Sequence, residues 1–249
     1  MLARRGGPAD VPAAVTQALA DATGGAPVPG ALTRSALAIA EAVERHGAGF
    51  KAGMEPAYHD RHHQAEAALA MGWLAGAARR LGLLSADEAA LAVTAMVAHD
   101  LLHDGQVHAE RGLLERRSAD AAAAIAAAQG LPAADVATMR RVVLSTTWPW
   151  VDEEATDLAC LLAREADLFG SSLPVLGPLL SRLLAQELAA AGQPAAEGVA
   201  THAARVALLR LMPPASAPAR ALGLDAERAA QLAAYAGVAR RLGLVGGTV

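Results

Sequence analysis

The sequence predicts an all-α fold, and three observations carry that prediction. Hydrophobic residues make up 54% of the 249 residues, yet aromatics contribute only 3%. The core must therefore be built from Ala, Leu and Val, and Ala is the best helix former. β-Branched and aromatic residues, which pleated sheets favour, are sparse. Apolar positions recur at helical spacing, with no sustained alternation of the kind strands show. The expected architecture is one compact multi-helix domain over residues 31–249, preceded by an N-terminal arm over residues 1–30.

The elements follow in order. A short helix is expected over 11–22 in the arm, then the loop Gly24-Gly25-Ala26-Pro27-Val28-Pro29-Gly30. Thr33 has the right chemistry to cap a helix reaching His46. A long helix is expected from Pro56 to Leu81, stopped at Gly82. Ser85-Ala86-Asp87-Glu88 has a capping-box pattern, and its helix continues through the apolar run ending at Ala98. A helix over 109–129 stops at Gly130, and Pro132 opens the next, which reaches Thr146. Trp148-Pro149-Trp150 is a break, because proline lacks an N–H and biases its predecessor away from helix. Further helices are expected at 152–168, 173–191, 196–211 and 225–242.

Composition excludes several function classes. A net charge of −4 offers no clustered basic surface, which argues against a nucleic-acid polymer as partner. The single Cys160 rules out an internal disulfide framework. Charges, Pro or Gly interrupt every apolar stretch before the roughly 20 residues a membrane span requires. After Arg4-Arg5 come Gly6-Gly7-Pro8, where a signal peptide needs an apolar run. A soluble cytoplasmic protein with no membrane partner is the expectation, and a homodimer is left open.

The chemistry concentrates in three segments. His99-Asp100 closes an apolar run and is followed by Leu101-Leu102-His103-Asp104-Gly105. A helix C-terminus carries partial negative charge, which favours a cation there. His59 and His63, four residues apart, would share one face of the expected helix, with His62 about 100° away from His63. Asp167 interrupts an apolar face formed by Leu158, Leu161, Leu162 and Leu168. A carboxylate in such a setting must be paired, protonated or metal-bound. Imidazole and carboxylate donors without partner cysteines suit one or two divalent ions such as Zn, Fe, Mn or Mg. Singly, each residue also reads as a satisfied histidine or a solvated carboxylate; the combination points to metal. His103-Asp104 repeats the dipeptide, but Gly105 stops it, so the first pair is assigned to the metal. His46 and His202 lie outside the constellation and read as surface residues.

These residues resemble the HD superfamily of metal-dependent phosphohydrolases. Tyr58-His59-Asp60-Arg61-His62-His63 is similar to the Tyr-His-Asn-x-x-His segment of class I cyclic-nucleotide phosphodiesterases and some bacterial HD proteins. His99-Asp100-Leu101-Leu102-His103-Asp104-Gly105 is similar to their His-Asp-x-x-His-x-Gly segment. Glu115-Arg116-Arg117-Ser118-Ala119 resembles a Glu-x-x-Ser-Ala stretch, and Glu165-Ala166-Asp167-Leu168 an Asp-Ala-Asp-Leu stretch, of the bacterial branch. The resemblance covers about residues 55–170 and implies an HD-domain-like bundle. It implies that His63, His99, Asp100 and Asp167 hold a first metal, with Asp100 placed to bridge to a second. It also implies that His59 protonates the leaving oxygen and that His103 contacts phosphate or a coordinated water. Tyr58, Glu115 and Ser118 fall in substrate-binding or supporting positions.

The resemblance thus implies hydrolysis of a phosphoester of a small, nucleotide-like substrate. The pattern departs at Asp60, where the family carries Asn, and at Glu66, where the phosphodiesterases carry Asp. No phenylalanine follows Phe169, so a base-clamping aromatic has no counterpart unless Trp148 or Trp150 stacks instead. Nothing marks Gln186, Gln193 or Gln231 as a base reader. A cyclic-nucleotide phosphodiesterase is the narrower reading. A di-iron HD oxygenase, with His103 or His108 as extra ligands, and a non-catalytic helical module holding a structural metal are the rivals.

Overall fold

A computed structural model describes Arg5, residues 7–151 and residues 157–241. Among these residues every regular element is helical. In chain order they are α1 (Val11–Thr23), α2 (Gly30–Ala48), α3 (Arg61–Arg80), α4 (Ala86–Ala98), α5 (Leu113–Ala128) and α6 (Ala133–Leu144). There follow α7 (Leu158–Asp167), α8 (Phe169–Ser172), α9 (Leu176–Ala190), a 3₁₀ segment (Ala196–Ala200), α10 (His202–Leu211), α11 (Ala217–Ala221) and α12 (Leu224–Arg241).

Helix α4 is the centre of the bundle. Ten consecutive residues from Ala89 to Ala98 are buried, and α1, α2, α3, α6 and α7 all pack against it. A helix that is apolar all round belongs in a core, and the run before His99 is of that kind. Its start is the anticipated capping box: Glu88 N donates to Ser85 Oγ at 3.2 Å and Ser85 N donates to Glu88 Oε2 at 2.7 Å.

The expected arm contains a core helix. Val11, Val15, Ala18 and Ala22 of α1 are fully buried, and the α1 backbone lies directly on α3. Two glycines of α3 permit this. A Cβ on Gly72 would stand 2.7 Å from the Ala18 carbonyl oxygen, and one on Gly76 would stand 2.5 Å from that of Asp21. Nearer the N-terminus, Arg5 holds both Glu66 oxygens, at 3.1 and 2.8 Å. His62 Nε2 lies 2.8 Å from the Gly7 carbonyl oxygen.

Several boundaries differ from the sequence expectation, each for a local reason. Helix α2 begins at Gly30, behind Pro29, so Thr33 lies inside the helix and caps nothing. Helix α3 begins at Arg61, not Pro56, because Asp60 accepts from His63 N and so caps it. Positive φ at Gly112 holds the start of α5 back to Leu113. Leu173, which precedes Pro174, is extended and separates α8 from α9. Thr201 is also extended and divides the expected 196–211 helix. The short helix α11 was not anticipated, whereas α12 and α6 fall where expected. Helix α7 begins at Leu158, and residues 152–156 and 242 lie outside the described set. No described helix is long and apolar enough to cross a membrane.

Candidate metal centre

His63 projects from the first turn of α3, His99 and Asp100 from the end of α4, and Asp167 from the last residue of α7. The three helix ends meet, and four side chains converge. His63 Nε2 lies 3.2 Å from His99 Nε2. Asp100 Oδ2 is 3.4 Å from His63 Nε2 and 3.1 Å from His99 Nε2. Asp167 Oδ1 is 3.3 and 3.6 Å from the same two nitrogens. Both histidines are buried, at 2% and 1% exposure, so water does not solvate the cluster from their side.

These separations are of the size found between ligand atoms around one cation. With bonds of about 2.1 Å, ligand atoms stand about 3.0 Å apart at adjacent octahedral positions and about 3.4 Å apart in a tetrahedron. His63, His99 and Asp167 form a set able to hold a divalent cation, and Asp100 lies against both imidazoles of that set. The tautomer of one ligand is fixed as coordination requires: His99 Nδ1 lies 2.8 Å from the Met96 carbonyl oxygen, so it carries the proton and Nε2 presents its lone pair inward.

Without a cation the cluster balances its charges internally. Burial pulls the His63 imidazole down, but Asp100 and Asp167 outweigh it and carry the group up to about 9. His99 is raised well above its ordinary value by the same contest, with Asp100 the main opposing charge. Burial pushes the two carboxylates up, and the imidazolium neighbours bring both well below the usual range.

Beside this centre lies a second grouping. His59 precedes α3 in a loop, so it does not share a helix face with His63 as the sequence spacing suggests. The loop is held by Glu187 of α9, whose Oε2 accepts from Tyr58 N at 2.8 Å and His59 N at 2.9 Å. Those amides are thereby drawn out of the helical ladder. The other Glu187 oxygen lies 2.5 Å from His59 Nδ1. Burial raises the Glu187 carboxyl, but His59 overrides it and brings the group down to about 2. His103 stacks on His59 with centroids 3.8 Å apart, and His59, His103 and Glu187 form a second set able to hold a cation. Burial, then His59, lower His103 to about 4, and its Nδ1 accepts from Gly105 N at 3.1 Å.

Glu187 is the residue the sequence reading missed. The signal was present: Leu176, Leu180, Leu183 and Glu187 occupy one stripe of α9 at helical spacing, and Glu187 is 5% exposed. The remaining expected positions divide. Tyr58 is buried, with its ring 4.8 Å from that of His63 and its hydroxyl 3.4 Å from Ser171 Oγ. Glu115 faces the cluster; burial, then the charges of Asp100 and Asp167, raise its carboxyl. Ser118 Oγ accepts from Leu102 N at 3.0 Å and supports the turn after Asp100. His108 turns to Asp104, 3.0 Å away. Glu165 faces away and binds the Ser216 amide and hydroxyl, both at 2.6 Å. His46 is half-buried, with Nε2 3.0 Å from the His103 carbonyl oxygen, whereas His202 is exposed, as expected.

No protein family, curated protein or solved structure matches the chain. The centre therefore stands on its own geometry.

Proposed function

We propose that the chain is a metal-dependent phosphohydrolase of the HD type. The observation that carries this reading is the convergence of His63, His99 and Asp167 as a set able to hold a cation, with Asp100 3.4 and 3.1 Å from the two imidazoles. A divalent cation held there would supply Lewis acidity, acidifying water and drawing charge from phosphoryl oxygens.

The protein's own groups supply the rest. Phosphoester cleavage expels an alkoxide, which needs a proton. His59 stands beside the centre with Nδ1 tied to Glu187, which leaves Nε2 as the atom that donates it. Glu187 holds both the ring and its backbone, so the donor is fixed in position before substrate arrives. His103, lowered to about 4, is neutral at pH 7 and packs its ring against the donor without adding charge.

A second reading, a di-iron oxygenase, is favoured by one observation: His59, His103 and Glu187 form a second ligand-like set. The test is metal analysis of the purified protein together with phosphate release from a phosphoester panel under Mn²⁺, Zn²⁺, Fe²⁺ and Mg²⁺. Metal-dependent release that Asp100→Ala abolishes supports the first reading. Full activity in Asp100→Ala ends it, and two tight irons with oxygen-dependent turnover transfer the assignment to the second.

A further inference from the structure

A cavity of about 440 Å³ adjoins the metal centre, with Asp167 and His59 in its wall. Small-molecule pockets span roughly 300–1,000 Å³, so it has room for a substrate group. The rest of its lining is mostly aliphatic. Leu180, Leu184 and Leu188 come from α9, Val199 from the 3₁₀ segment and Leu208 from α10. The remaining polar side chains are Tyr58, Ser171 and Ser181, and Trp148 adds an indole that is 53% exposed.

No Lys, Arg, Asn or Gln is among the described lining residues. A nucleobase carries several donors and acceptors, and burying them against leucines leaves them unmet. A di- or triphosphate tail would need cationic partners that this wall does not offer. The glutamines are elsewhere. Gln231 is buried between Arg205 Nη2 and the Ser172 carbonyl oxygen, and Gln186 is exposed. Arg205 also binds the Ser171 and Leu173 carbonyl oxygens, which fixes the segment carrying Ser171.

We infer that the substrate is the phosphoester of an apolar alcohol, whose hydrocarbon or aryl group fills this cavity while its phosphoryl group meets the metal centre. The inference rests on the phosphohydrolase reading and narrows it. In the reaction a water oxygen bonds to phosphorus and the bond from phosphorus to the ester oxygen breaks. The departing oxygen takes the proton from His59 Nε2, and the proton of water leaves with phosphate or solvent. No oxidant or reductant is required.

The experiment has a catalytic arm and a binding arm. Mn²⁺-loaded protein is assayed with octyl phosphate, 1-naphthyl phosphate, glycerol 3-phosphate, AMP and cyclic AMP. The expected result is a kcat/KM for the octyl and naphthyl esters at least about tenfold above the others. That preference should fall in Leu184→Gln and in Leu208→Gln, two variants on different helices whose folding is checked by circular dichroism. In the second arm 1-naphthol, which carries no phosphate, is titrated into the same proteins, and both variants should bind it at least about tenfold more weakly. Preference for AMP or cyclic AMP overturns the inference and leaves the hydrolase reading standing. No turnover of any ester, with naphthol bound and weakened by both variants, retains the cavity's ligand class and removes the hydrolase reading. Absence of naphthol binding, or binding equal in wild type and variants, overturns the inference.

Discussion

The Nε2 atoms of His63 and His99 face each other across 3.2 Å, and the proton of His99 is committed on its far side to Met96. These two nitrogens and an Asp167 oxygen form a set able to hold a cation at one focus, with an Asp100 oxygen against both imidazoles. A cation that binds this focus in the folded state and not in the unfolded chain stabilises the protein by mass action, about 3–4 kcal/mol at 100 to 1,000 times its dissociation constant. For a chain of this size that corresponds to a rise in Tm of about 5–10 °C. Differential scanning fluorimetry with and without Mn²⁺ or Zn²⁺ measures it. The rise should vanish in His99→Ala and Asp167→Ala, each compared with its own metal-free melt. An undiminished rise in both variants would place the cation elsewhere.

His59 is expected to behave differently from His63, His99, Asp100 and Asp167. It lies outside their focus and is tied to Glu187 through Nδ1. His59→Ala should therefore retain the metal-dependent rise in Tm while kcat falls about 10²–10⁴-fold, the usual contribution of a positioned proton donor. Steady-state kinetics and metal analysis on the same preparation separate the two effects. If His59→Ala sheds one of two ions, the second ligand set is a metal site and the proton-donor role is lost.

Much of the fold and of the centre was legible in the sequence. The apolar run ending in His99-Asp100 marked both the central helix and the buried cluster at its end, because a helix buried all round must end inside the protein. Asp167 was legible for the same reason, as a carboxylate within an apolar stripe. His59 was placed on the wrong element, since no spacing rule shows that a carboxylate about 130 residues away takes its backbone amides. Glu187 itself lies outside every motif-bearing segment of the sequence, although its stripe on α9 carried the signal seen for Asp167. Tertiary capture of local hydrogen-bonding groups is what sequence periodicity does not report.

Acid should weaken the fold partly through Glu187. Its carboxyl sits at about 2 in the folded protein against an ordinary 4.5. The folded state thus holds fewer protons than the unfolded chain between these values, and stability rises with pH across that window. The contribution is fully present above about pH 4.5 and is lost as pH falls toward 2; the shift corresponds to about 3 kcal/mol. Chemical denaturation from pH 6 to pH 2.5 should show Glu187→Gln less stable than wild type at pH 6, with the gap closing in acid. A gap that is constant with pH would mean that the carboxylate charge contributes nothing.

Docking of α1 makes a prediction of opposite sign at two helical glycines. At Gly72 an added Cβ would lie 2.7 Å from both Cα and the carbonyl oxygen of Ala18, so α1 would have to move away. Overpacking of this kind costs about 1–3 kcal/mol, which exceeds the roughly 1 kcal/mol that Gly→Ala returns in helix propensity. At Gly237 in α12 the nearest atom is the flexible tip of Arg241 at 3.8 Å, so only the propensity gain remains. Gly72→Ala should therefore lower the urea midpoint, while Gly237→Ala should raise it or leave it unchanged. Equal stabilisation by both substitutions would show that α1 does not rest on α3 at this separation. The arm would then be an appendage, and Val11, Val15 and Ala18 would not belong to the core.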